Sequence, residues 1–420
     1  METIFSLDDT CAQLLEKEFP TDFRNRFFIP AINGQECIYF CGNSLGLQPK
    51  SVQTLIAAEL KQWENLGVEG HFKGEKPWMQ YHKFAKKTTA KLVGANESEV
   101  VMMNSLTTNL HLLLTSFYRP TKQKFKIITE AGAFSSDQYA LETQVKLHGL
   151  IPEETIIEIF PRMGEHTLRT EDILQAINEN AAALSLVFLG GVNYYTGQAF
   201  DLKTIAVAAK QVGAIIGFDL AHAVGNIALQ LHDWQVDFAV WCSYKYLNAG
   251  PGGVGGAFVH QKHADEKLPR LGGWWGHREE ERFLMKKGFQ PASGADGWQL
   301  SNAPILSLAA YLASAAIFEE AGIENLVKRS KVLTAYLEFL LLHSACASNI
   351  TIITPSNPNQ RGCQLSVIFK NGGKELFQKL QDHHIMLDWR EPNAIRITPV
   401  PLYNSFIEIY QFVKILEAIS

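Results

Sequence analysis

The sequence predicts an α/β fold, with a large domain built on a mostly parallel, helix-covered sheet and a smaller α+β domain behind it. Three observations lead there. At 420 residues the chain exceeds what one compact core usually holds. Its middle alternates short apolar, β-rich runs with amphipathic stretches, the pattern of a parallel sheet covered by helices. From Ala303 onward the character changes to long helical stretches with few strands. The expected boundaries are an N-terminal segment over 1–50 packing with the small domain, a large domain over 51–305 and a small domain over 306–420.

The elements follow in chain order. Glu99 to Met103 reads as a short strand and Thr107 to Phe117 as the helix after it. Phe125 to Thr129, Thr155 to Phe160, Ser185 to Leu189, Ala214 to Phe218 and Val236 to Trp241 read as strands. Leu202 to Val212, between two of them, has helical periodicity. In the C-terminal part, Leu306 to Ala321 and Glu324 to His343 read as helices, Cys363 to Phe369 and Ala394 to Thr398 as strands, and Asn404 to Leu416 as a last helix. Ligands of open parallel sheets sit beyond the carboxyl ends of the strands, so the residues just after the apolar runs are the ones to read for chemistry.

Composition excludes several classes. With 46% hydrophobic and 19% charged residues the chain is ordinary for a globular protein. The net charge of -5 and the lack of a long basic run speak against nucleic acid as a partner, because phosphate binding needs clustered Lys and Arg. The most apolar stretch, Ile305 to Phe318, is shorter than the roughly 20 residues a bilayer requires. Met1-Glu2-Thr3-Ile4 carries no signal-peptide character. Six cysteines are too sparse for a disulfide scaffold, so free thiols in a reducing cytoplasm are expected. Cys37 and Cys41 lack a second Cys or His pair, and no metal is expected.

Ser243-Tyr244-Lys245-Tyr246-Leu247-Asn248 follows an apolar strand and precedes the glycine-rich Gly250 to Gly256. Lys245 reads either as a surface lysine in a turn or as a lysine held covalently to an aldehyde, which removes the cost of burying an ammonium. Twenty-six residues earlier, Asp219 closes the strand Ala214 to Phe218 and His222 follows it. Alone, Asp219 reads as a helix N-cap and His222 as a core histidine. Together with Lys245 they have a joint explanation in pyridoxal 5'-phosphate: a carboxylate for the pyridine nitrogen, an imidazole beside the ring phenol oxygen and a lysine for the aldehyde. Asn104 to Asn109 supplies a strand-to-helix junction for the phosphate, with Thr107 and the Leu106 backbone as contacts. Tyr244 is placed to add a phenol donor, Phe134 to lie on the ring, and Asp137 to orient neighbouring groups.

Asp-x-Ala-His followed by a Ser-x-Lys strand end resembles the fold-type I pyridoxal-phosphate enzymes of the class V aminotransferase group, and more specifically kynureninase. The resemblance runs through Phe40 to Gly46, Gly217 to Asn226, Leu231 to Trp234, Trp241 to Gly253, Arg396 and Pro399 to Ser405. It implies a pyridoxal-phosphate transferase-like large domain, a homodimer with sites at the subunit interface, and hydrolysis of L-kynurenine, with its 3-hydroxy form as a further candidate, to anthranilate and L-alanine. Lys245 would hold the cofactor and Asp219 would pair with its ring nitrogen, while Leu106, Thr107, Phe134, Asp137, His222 and Tyr244 surround it. Trp274 and Asn302 match cofactor contacts supplied by the partner subunit. His71, Trp275 and Asn302 match positions lining the aryl pocket, and Arg396 matches the arginine that grips the substrate carboxylate. Tyr244 is a candidate to act on the substrate ketone. Two departures stand out: Gly190-Gly191-Val192 lacks a serine that the family often has there, and Trp275 stands where animal members often carry Phe. A cysteine desulfurase is the rival within the fold. It needs a mobile nucleophilic thiol, whereas Cys363 runs straight into a strand and Cys346 sits near a helix end without an activating group.

Overall fold

The computed structural model describes residues 5–20, 22–264 and 266–420. Seven strands form the main sheet: β1 (Val100–Met102), β2 (Lys126–Glu130), β3 (Ile156–Ile159), β4 (Leu184–Gly190), β5 (Ile215–Asp219), β6 (Phe238–Cys242) and β7 (Gly255–Val259). Their spatial order is β1-β7-β6-β5-β4-β2-β3. Neighbouring pairs from β6 to β3 are parallel, and β7 runs antiparallel to both β1 and β6. Nearly every residue of β4, β5, β6 and β7 is buried, as expected for strands covered on both faces. Gly256 lets β7 sit under Trp241, whose ring lies 2.1 Å from where a Cβ would stand.

Helices α1 (Asp9–Glu18), α2 (Ser51–Leu66), α3 (Lys86–Val93), α4 (Leu106–Phe117), α5 (Ser135–Leu147), α6 (Thr170–Glu179) and α7 (Leu202–Gln211) precede the last third of the chain. Local chemistry sets several of their starts. Asp201 caps α7 by accepting from Thr204 N (3.1 Å), and Asp8 caps α1 by accepting from Cys11 N (3.0 Å).

After α8 (Ile305–Ala321) and α9 (Ile323–His343) comes a second sheet with order β8-β9-β11-β10. Its strands are β8 (Ile350–Ile352), β9 (Leu365–Phe369), β10 (Asp388–Arg390) and β11 (Ala394–Ile397), all antiparallel, with α10 (Gly373–Asp382) and α11 (Phe406–Ile419) against them. A capping box of Ser405 and Glu408 starts α11. This sheet has its own core of Leu333, Leu337, Leu365, Val367, Ile395 and Phe412, which also takes in Cys11, Leu15 and Phe40 from the beginning of the chain. All six cysteines are free, five of them buried. Among the described residues, no single helix is long and apolar enough to cross a membrane.

The strand β7 differs from the sequence expectation, which reads its start as part of a glycine-rich turn. Glycine weakens the strand signal, but here it marks close backbone approach rather than a loop. The short strands β8 and β10 carry too few residues for a periodic signal.

Candidate active site

Glu130, Gly190, Asp219 and Cys242 end four mutually parallel strands, so their side chains and the loops after them share one edge of the sheet. The chain from β6 then turns into Ser243-Tyr244-Lys245. Lys245 Nζ lies 3.0 Å from His222 Nε2, 5.7 Å from the Phe134 ring centre and 5.9 Å from that of Tyr244. The sheet edge thus brings together Lys245, His222, Tyr244 and Phe134, which come from three separate loops.

Asp219 is 8% exposed, and one carboxylate oxygen accepts from Ala221 N (2.7 Å). Its other neighbour is Asp137, near the start of α5, with which it shares a side-chain hydrogen bond. Two carboxyls can bond this way only with a proton between them. Burial, together with the charge of Asp219, drives Asp137 well above the usual carboxylate range, so Asp137 carries that proton. Burial also raises Asp219, while Asp137 and the Lys245 ammonium pull it back. His222 is buried, and burial with the Lys245 charge holds its imidazole well below its ordinary pKa, hence neutral. Its Nδ1 and Asp137 Oδ1 are buried without a hydrogen-bond partner among the described residues. Burial pushes the Tyr244 phenol up, so it stays an O–H donor.

The same edge carries the start of a helix. β1 leads into α4, whose N-cap Ser105 makes no side-chain cap bond, and Leu106 and Thr107 are half-buried at its first turn. Gly255 permits this approach: a Cβ there would stand 2.8 Å from Ser105 C and 3.0 Å from Leu106 N. The free amides of a helix start suit a phosphate.

These residues fit pyridoxal phosphate. A half-buried lysine faces a neutral histidine, a buried carboxylate pair has unsatisfied polar atoms nearby, an exposed Phe134 ring (43%) flanks the lysine, and a helix start lies at the same edge.

Arg396 is placed differently from the others. It is 1% exposed on β11, with Nη1 donating to Tyr194 O (2.8 Å) and Nη2 to Ser44 Oγ (2.9 Å) and Asp388 Oδ2 (2.5 Å). Tyr194 packs edge-on to Phe134 (5.3 Å), which links Arg396 to the lysine pocket.

His71, Trp274 and Trp275 form a separate aromatic cluster. His71 meets Trp78 edge-on (5.2 Å), Trp274 contacts Phe283 (5.4 Å) and Trp275 (5.7 Å), and the Arg282 guanidinium lies 4.4 Å from the Trp275 ring. Trp275 is 1% exposed and Trp274 39%. Asn302 is exposed, just before α8. Among the described residues, the hydrogen bonds and ring contacts of this cluster do not reach Lys245, Asp219 or His222.

The chain also matches known proteins. The model of the kynureninase C-terminal domain matches residues 326–416. A kynureninase from Flavobacterium psychrophilum is 53% identical over 408 residues, 96% of each chain. One from Nematostella vectensis is 48% identical, covering 94% of this chain and 90% of that one. The chain belongs to the kynureninase family. Among solved structures, a cysteine desulfurase from Thermococcus onnurineus superposes with a TM-score of 0.78 at 20% identity, over 95% of this chain and 98% of that one. At that identity the likeness speaks for the fold alone, that of the fold-type I pyridoxal-phosphate enzymes, and the cysteines of this kynureninase-family chain give no support to desulfurase chemistry. Burial pushes the Cys363 thiol up, and it is wholly inaccessible.

Three site residues escape the sequence reading. Glu130 is 4% exposed, accepts from Gly190 N (2.9 Å) and lies beside Asp219, with burial raising its carboxyl to about 7. A carboxylate at the end of an apolar strand was its one legible signal. Ser44 and Asp388 became visible only through their partner Arg396. A further cluster, Glu99 with His232 and His260, uses its lone pairs internally: Glu99 accepts from Gln261 N (2.8 Å), Asn96 N (2.8 Å) and His232 Nδ1 (3.0 Å), and His260 Nδ1 accepts from Lys262 N (3.0 Å).

Proposed function

We propose that the Lys245 pocket hydrolyses L-kynurenine, with water, to anthranilate and L-alanine in tryptophan catabolism. The observation that carries this reading is the meeting of Lys245, neutral His222 and the Asp219–Asp137 pair at one sheet edge, in a chain of the kynureninase family. Pyridoxal phosphate, when bound, supplies an electron sink for the carbon bonds around the substrate amine.

The chain's own residues do the rest. Lys245 would hold the cofactor aldehyde, and its amine would serve as the base beside the substrate Cα. Asp219 would pair with the protonated ring nitrogen, and Asp137 would fix Asp219 from its other side. Leu106 N–H and Thr107 would hold the phosphate at the start of α4. Phe134 would cover one face of the cofactor ring. His222, neutral and with no partner at Nδ1 among the described residues, would face the ring oxygen. Arg396 takes the substrate carboxylate. Tyr244 keeps its phenol proton and is the candidate donor to the ketone oxygen as water adds. Cleavage of the Cβ–Cγ bond then leaves the carbonyl carbon and the water oxygen in the anthranilate carboxyl, and Cβ takes a proton to become the alanine methyl.

The reading extends to a cytoplasmic homodimer in which Trp274 and Asn302 enter the partner's site, with His71, Trp275 and Asn302 around the aryl group, and to a contribution toward NAD biosynthesis if 3-hydroxykynurenine is also cleaved. The net charge of -5 and the exposed aromatic cluster support a small-molecule enzyme that associates with itself rather than with nucleic acid. The test is anthranilate fluorescence on mixing protein, pyridoxal phosphate and L-kynurenine, with 3-hydroxykynurenine followed by absorbance. Lys245→Ala is expected to abolish turnover and the covalent cofactor absorbance; near-wild-type turnover would remove Lys245 from the mechanism.

A further inference from the structure

The motif Phe40-Cys41-Gly42-Asn43-Ser44-Leu45-Gly46 has no role in the chemistry above, yet it connects both halves of the site. At its far end Gly46 N donates to Tyr244 O (2.8 Å), and Gly46 has no room for a side chain, since a Cβ would stand 2.3 Å from Lys245 O. Near its start, Phe40 O accepts from Thr398 N (3.1 Å), two residues after Arg396. Between these anchors Ser44 donates to Asp388 and accepts from Arg396 Nη2 (2.9 Å). Asp388 Oδ2 closes the triangle by accepting from the same nitrogen (2.5 Å). Asp388 and Arg396 face each other across the β10–β11 ladder, where they are register partners.

The charges in this triangle do not balance. Arg390 reaches the same carboxylate, with Nε 3.2 Å from Oδ1 and Nη2 3.3 Å from Oδ2. One carboxylate therefore lies between two guanidinium groups, leaving one positive charge. Arg396 is 1% exposed, and its Nε is buried without a hydrogen-bond partner among the described residues. A buried guanidinium with one donor unsatisfied is costly unless an anion completes it. Its other two nitrogens are tied to Tyr194 O, Ser44 and Asp388, so the guanidinium plane cannot turn to follow a ligand.

We infer that Asp388, with Ser44, is a positioning residue that fixes the Arg396 guanidinium for the α-carboxylate of the substrate amino acid and ties it to the turn that carries Lys245. This rests on the reading of Arg396 as the carboxylate contact. Asp388 touches no reacting atom. Its effect is confined to ligands that bring a carboxylate to Arg396.

The experiment uses the pyridoxal-phosphate-loaded enzyme and two competitive inhibitors. Kynuramine keeps the amine and aryl ketone of kynurenine and lacks the carboxylate; 4-(2-aminophenyl)-4-oxobutanoate keeps the carboxylate and lacks the amine. In Asp388→Asn, the KM for L-kynurenine and the Ki of the oxobutanoate are expected to rise about 10- to 100-fold, the range for a charged hydrogen bond, with kcat less affected. The Ki of kynuramine and the absorbance of the bound cofactor stay unchanged. Ser44→Ala, which keeps both charges, gives the same pattern at smaller size and serves if Asp388→Asn does not fold. Equal weakening of both inhibitors, or of neither, overturns the inference. Arg396→Lys separates the two levels. If it weakens only the oxobutanoate while Asp388→Asn weakens neither, the carboxylate role of Arg396 stands and the positioning role falls. If Arg396→Lys does not discriminate between the inhibitors, the reading beneath falls with it.

Discussion

Glu130 shows what a single residue does at this sheet edge. The ladder between β2 and β4 shifts register between Lys126 and Ile127 and ends at Ile128 and Val187, and beyond it the Glu130 carboxylate takes the Gly190 amide in place of a backbone carbonyl. It does so with Asp219 close by, so its charged form is disfavoured first by burial and then by like charge. The folded carboxyl is raised to about 7 from an ordinary 4.5. Between those values the folded state binds more protons than the unfolded one, so the contribution of Glu130 to stability is present at low pH and is lost as pH rises through about 7. The size is on the order of 3 kcal/mol. Gln keeps an oxygen for Gly190 N and has no charge to lose. Urea unfolding of the cofactor-free protein at pH 5.5 and pH 8 is therefore expected to show a fall in stability for wild type across that range and a smaller fall for Glu130→Gln. Equal falls would mean that Glu130 ionises as an ordinary surface carboxyl does.

At the scale of elements, the strand ends that carry chemistry were legible because parallel buried strands are short apolar runs and their loops begin where the runs stop. Asp219 and Lys245 were found that way. Residues whose work depends on a partner distant in sequence were not: Ser44 and Asp388 are 344 positions apart, and nothing local to either marks the contact. The strand β7 was hidden for the opposite reason. Gly255 and Gly256 lack the side chains that signal a strand, because one must admit the start of α4 and the other the Trp241 ring. Gly255→Ala tests the first of these. Its Cβ would press on Ser105 C, Leu106 N and Asn109 Nδ2, all within 3.0 Å, and move the amides proposed for the phosphate. Overpacking of this kind costs about 1–3 kcal/mol. The expected outcome is a folded protein with about tenfold weaker affinity for pyridoxal phosphate, read by titrating the cofactor-free protein and following absorbance. Unchanged affinity would mean that the phosphate does not lie at α4.

At the scale of the whole molecule, the Lys245 pocket and the Trp274 cluster stand apart. Lys245, His222 and Phe134 meet within one chain, whereas among the described residues the hydrogen bonds and ring contacts of Trp274 do not reach them, and Asn302 is exposed. Around Trp274 the surface carries Phe72, Phe283, Leu284 and Met285, each more than half exposed. An apolar patch of this kind on a folded protein marks an interaction surface. If Trp274 and Asn302 complete the site of a second copy, an isologous dimer has two sites, each drawing the lysine from one chain and Asn302 from the other. Lys245→Ala and Asn302→Ala would then each lack something the other retains. In their heterodimer one site combines both defects, and the other has Lys245 from one chain and Asn302 from its partner, hence is intact. Random mixing makes half of the dimers heterodimers, so unfolding and refolding the two together is expected to recover about a quarter of wild-type activity from two nearly inactive proteins. If both residues served a site within their own chain, every site in the mixture would carry one defect, and activity would stay at the level of the separate variants.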